Sequence, residues 1–186
     1  MELPPTVTRE RLHQRCIEMH GYRRSDGLFD IEATLVDTKN GDMVTATGRT
    51  VPAGAPVHHM LLRLVVDDTM RIHAVHAATA AAPYGICQQA PAQLQALVGM
   101  QIGAGWSRAV RERLPAAHNC THLRELLGPL ATVAYQTLAD VRQKNCPLGS
   151  AAHLQSKQDS CFAYAGVHAH GQAQPPHSTP WARSAT

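Results

Sequence analysis

Cys120-Thr121-His122-Leu123-Arg124-Glu125 places a thiol, an imidazole and a carboxylate where an apolar period of helical spacing begins. A thiol at a helix N-terminus meets the positive end of the helix dipole, which favours thiolate, the form that attacks a substrate or ligates a metal. His122 is two residues on, as co-ligand of a metal or as base for the thiol. Glu125 follows at i+3 from His122, a spacing that lets a carboxylate orient an imidazole on one helix face. The catalytic candidates are therefore Cys120, His122 and Glu125. A plainer account also covers this stretch: Asn119, Cys120 or Thr121 caps the helix, and Leu123 opens its core stripe.

A second thiol, Cys87, lies in "AAAPYGICQQAP", a loop shaped by Pro83, Gly85 and Pro91 just ahead of a helical stretch. If folding joins the two loop-to-helix junctions, Cys87, Cys120 and His122 form a thiolate and imidazole set suited to zinc or iron. A fourth position falls to Asp67, Asp68, His118 or water. Cys16, mid-strand beside Ile17, reads as structural, and Cys146 and Cys161 belong to the chain end. A third group is polar: His59, Arg63, Arg71 and His73 alternate within one hairpin, with Asp30, Glu32, His13 and Arg15 joining from another. The ordinary reading is the solvated face of an antiparallel sheet. The chemical reading is a cleft where Arg63, His59 and Arg23 or Arg24 hold the anionic group of a small metabolite, since arginine offers a bidentate fork.

Positioning these side chains requires strands first and helices after. Residues 11–40 predict two strands joined at Arg24-Ser25-Asp26-Gly27, with Phe29, Ile31, Ala33 and Leu35 on one face. A polar loop follows, and then a second hairpin. Met60, Leu62, Leu64 and Val66 share a face of its first strand, and Ile72, Ala74 and His76 share a face of its second. After Ala78 three helices are expected: "APAQLQALVGM", "GWSRAVRERL", and a longest one from Leu123 to Val141, kinked at Gly128-Pro129. The fold class is α+β, an antiparallel sheet of two hairpins covered by three C-terminal helices. The domain spans 9–144. Residues 145–186, with scattered Gly, Pro, Ser and Gln, are too poor in aliphatics to offset chain entropy and read as a flexible tail carrying His168, His170 and His177.

Bulk properties narrow the classes. A net charge of +3 without an aromatic-interleaved basic stripe argues against nucleic acid. No run is long and apolar enough for a membrane span, and the N-terminal residues lack a secretory pattern, so the cytoplasm is the expected location. Five irregularly spaced cysteines then read as free thiols or ligands. No dinucleotide or P-loop glycine pattern is present, so no nucleotide cofactor is expected.

The blocks "HGYRRSDGLFDIEATLVDTK", "HHMLLRLVVDD", "APYGIC" and "CTHLRELLGPLATVAYQT" resemble a bacterial family described as a domain of unknown function, over residues 11–142. That family carries Gly before the Cys of the CTHL block, where this chain has Asn119. More distantly, residues 60–142 are similar to the iron–sulfur cluster scaffold proteins. By that likeness Cys87 and Cys120 are the first and last cluster cysteines, but the middle one is missing from "VGMQIGAGWSRAV". Together these readings describe a small cytosolic enzyme of hydrolase or isomerase type, acting on a small anionic metabolite through a Cys/His site with a bound zinc or iron. The alternatives are a metal or iron–sulfur binding accessory protein and a non-catalytic ligand-binding module. The sequence carries no sign of oligomeric state.

Overall fold

Strands β1 (His13–Arg23) and β2 (Phe29–Lys39) pair antiparallel from Arg23↔Phe29 to His13↔Lys39. Their turn is held by Asp26 Oδ1, which accepts from Leu28 N at 3.2 Å, and by Gly27 at φ +87°, a left-handed conformation that favours glycine. This is the computed structural model of the chain, and it describes residues 7–147, 149–158 and 161–164. The histidines at 168, 170 and 177 lie outside the described residues.

Between β2 and the second hairpin, the loop expected to be irregular folds a small hairpin of its own, β3 (Met43–Val44) with β4 (Thr50–Val51). The second hairpin, β5 (Pro56–Val66) and β6 (Ile72–Ala81), completes a four-stranded antiparallel sheet in the order β1-β2-β5-β6. The alternation read from β2 and β5 holds: Phe29, Ile31, Ala33 and Leu35 are buried with Met60, Leu62, Leu64 and Val66. The expected face of β6 does not. A bulge at His73 shifts the register between Val65 and Val66, so Val75 opposes Leu64 and joins Ile72 in the core, while His76 opposes Arg63 on the outer face. One extra residue in a strand reverses every later side chain.

Helical segments cover the inner face, giving the α+β class. The first is a run of 3-10 turns, Gly85–Leu97, rather than an α-helix. Side chains three apart eclipse in 3-10 geometry, and Leu94 and Leu97, three apart, are both fully buried. Next come α1 (Trp106–Arg113) and α2 (Thr121–Thr137), and α2 runs through Gly128-Pro129 without interruption. Leu123, Leu126, Leu127, Leu130 and Ala134 bury one stripe of α2. Trp106 Nε1 donates to the Leu127 carbonyl at 2.9 Å, locking α1 on α2. Trp106→Phe removes that bond and shrinks a buried ring, so urea unfolding should show a loss of about 2 kcal/mol.

The chain divides into two units, Met1–Ala139 and Asp140–Thr186. A break at Leu138 ends α2 where a continuous helix to Val141 was expected, and α3 (Ala139–Asn145) follows. In the second unit, α4 (Ala151–Lys157) occupies a stretch expected to lack regular structure. Ser150 caps it, its hydroxyl accepting from His153 N at 3.1 Å. Among the described residues, no helix is long and apolar enough to cross a membrane.

Candidate metal centre

The inner alternation of the sheet does not end where its apolar residues end. Two positions after Leu35 comes Asp37, on the same face and 2% exposed. Two positions before Met60 comes His58, directly opposite Asp37. On the edge strand Arg15 opposes Asp37 from the other side. Cross-strand pairing alone thus aligns a guanidinium, a carboxylate and an imidazole in one row of the inner face.

Arg15 donates to Asp37 through Nε to Oδ1 and Nη2 to Oδ2, both at 2.8 Å. This fork holds the Asp37 carboxyl below the ordinary carboxylate range in spite of its burial. The third guanidinium nitrogen, Nη1, donates to Glu125 Oε2 at 2.6 Å. Glu125, expected to orient His122, instead ties α2 to β1 through Arg15. His58 Nδ1 lies 3.1 Å from Asp37 Oδ2, and His13 Nε2 lies 3.4 Å from Oδ1. His13 and Arg15 therefore lie on the Asp37 side of the sheet, partly exposed at its edge, not on the outer polar face where they were expected.

From above, the start of α2 brings in His122. Its Nε2 lies 3.8 Å from Asp37 Oδ2, and its ring stacks on that of His58 with centroids 3.8 Å apart. Burial pushes both imidazoles below their ordinary pKa. They are then neutral at physiological pH, the form that ligates metals. Cys120 is the N-cap residue of α2, and its Sγ is 3.8 Å from His122 Nδ1.

Asp37, His58 and His122 each offer one ligand atom, and these atoms lie within 4.8 Å of one another. Tetrahedral ligands at about 2.0–2.1 Å from zinc are roughly 3.3–3.4 Å apart. The separations of 3.1 Å and 3.8 Å from Asp37 Oδ2 bracket that edge. Charge also allows a cation: one guanidinium faces two carboxylates, Asp37 and Glu125, which leaves a negative excess.

His58 and His122 line a cavity of about 460 Å³, and both Cys87 and Cys120 line it too. The two thiols, expected to converge, both line this one cavity. Of the expected ligand set Cys87, Cys120 and His122, only His122 belongs to the converging donor cluster among the described residues. Asp37 and His58 supply the others. Neither was singled out from the sequence, although continuing the period-two pattern from Leu35 and back from Met60 points to both. Cys16 lies within β1, mid-strand as expected, and is exposed.

The expected anion anchors are elsewhere. Arg63 donates to Glu32 at 2.6 Å, and Arg24 donates to Asp26 and to Asp30. His59, opposite Val36, shares the outer face with Arg63. None of Arg63, Arg24 and His59 lines the cavity.

The fold and site define a small α+β domain in which a buried Asp37 joins two half-buried histidines, His58 and His122, that line a cavity also lined by two thiols. The family model for "Protein of unknown function (DUF2889)" matches residues 13–136, and the chain belongs to that family. No curated protein and no solved structure matches the chain, so the likeness to iron–sulfur scaffolds has no solved structure behind it.

Proposed function

We propose that the chain is a small metal-dependent enzyme of hydrolase or isomerase type whose zinc or iron(II) is held by Asp37, His58 and His122. The observation that carries this reading is the convergence of three donors from β2, β5 and α2 beside a cavity. Two imidazoles and one carboxylate suit zinc or non-haem iron and leave coordination positions for water and substrate. Such an ion polarises a carbonyl and lowers the pKa of bound water to about 7. Cys120 has a supporting role. With the metal on Nε2 of His122, the ring proton resides on Nδ1, which faces the Cys120 sulfur, and that contact fixes the ring.

Metal analysis of the full chain is expected to give about one equivalent of zinc or iron, with binding weakened roughly 100-fold or more in His58→Ala and His122→Ala. Cys87→Ala should retain the metal. If the His58→Ala/His122→Ala double variant binds zinc as tightly as the unaltered chain, the reading is wrong.

A further inference from the structure

Resting on this metal reading, we infer that the cavity takes a small carboxylic acid with an apolar body, its carboxylate on the metal and its body against the 3-10 segment. Its volume, about 460 Å³, falls in the range of small-molecule sites. Pro83, Tyr84, Ile86 and Ala90 from the 3-10 segment and the residues just before it, with Met60 from the sheet, form the apolar part of the cavity wall. Tyr84 and Ile86 are large apolar side chains left 45% and 67% exposed at the cavity. Two such groups in one short segment gain by covering an apolar ligand.

Gln89, Gln93, Asn119, Thr121 and His118 supply the polar groups along the wall, and among the described residues no lysine, arginine, aspartate or glutamate lines it. Arg15, the nearest cation of the cluster, is already committed to Asp37 and Glu125. With no permanent cation among the described residues of the wall, an anionic ligand draws its fixed counter-charge from the metal, which makes carboxylate binding conditional on the ion. The apolar wall then separates one acid from another by the size of the body, not by a second charge.

Calorimetric titration of the zinc-loaded full chain with acetate, phenylacetate and 2-phenylethanol tests this. Phenylacetate should bind at least about tenfold more tightly than acetate, because the ring is buried against the wall. It should also bind more tightly than 2-phenylethanol, which lacks the charge. Chelation of the zinc should abolish phenylacetate binding. Ile86→Asn should weaken phenylacetate while leaving zinc content and acetate affinity unchanged. A protein that takes up neither zinc nor iron(II) overturns both the metal reading and this one. Zinc uptake with equal affinity for acetate and phenylacetate, or phenylacetate binding that survives chelation, overturns the substrate assignment alone.

Discussion

Replacing Arg15 by methionine is expected to destabilise the metal-free protein by about 3 kcal/mol, seen as a lower urea midpoint at unchanged m-value. Asp37 is almost wholly buried, and Arg15 is the cation in contact with both of its oxygens. Methionine keeps the stem of the side chain but leaves the carboxylate without its counter-charge. His58, held neutral by burial, supplies a hydrogen bond and not a charge. The lost contact to Glu125 counts for little, because that carboxylate is half exposed. Two further measurements separate the charge from mere packing. Arg15→Met/Asp37→Leu removes both charges and should recover most of the loss. Saturating zinc should also rescue Arg15→Met, since a dication between Asp37, His58 and His122 restores the missing positive charge. A double variant no more stable than the single one would mean that Arg15 acts through its shape alone.

The row Arg15, Asp37, His58 also shows how far sequence reasoning reached. Both hairpins and the helical order follow from apolar periodicity, and Cys120 and His122 stand out because a helix visibly begins there. Asp37 and His58 continue the same alternation with polar residues, and a reading that follows only apolar side chains stops one step short at each end. The register of β1 on β2 follows from the short turn at Asp26-Gly27, which puts Arg15 opposite Asp37. That of β2 on β5 does not, because the β3/β4 hairpin stands between them and the loop length sets no pairing. The bulge at His73 has no local signal either. It is decided by which β6 residues fit the core, and Val75 replaces Ala74 there. Glu125 was placed correctly on the helix but assigned the wrong neighbour: a side chain one turn from His122 reaches across to β1 once the helix docks.

That docking rests on a close approach at Gly21, and Gly21→Ala is expected to cost roughly 1–3 kcal/mol by overpacking. A Cβ built at Gly21 would fall 1.7 Å from Thr137 Oγ1 and 2.7 Å from both Thr137 Cβ and Cγ2. Rotating the hydroxyl away does not suffice, because Thr137 Cβ is fixed to the backbone of α2. Either the helix lifts or β1, an edge strand of the sheet, bends outward. Both movements disturb Arg15, which spans from β1 to Asp37 and to Glu125 on α2. Weaker zinc binding should therefore accompany the loss of stability, although Gly21 has no part in the cluster. Thr137→Ala in the same chain deletes Oγ1 and Cγ2 but keeps Cβ, so it should restore part of the stability and not all of it. On its own, Thr137→Ala gives up only the hydroxyl bond to the Val133 carbonyl and should cost less than Gly21→Ala. A Gly21→Ala protein with unaltered urea midpoint would show that β1 and α2 do not meet as closely as described, and the path from helix to metal cluster through Arg15 would fall with it.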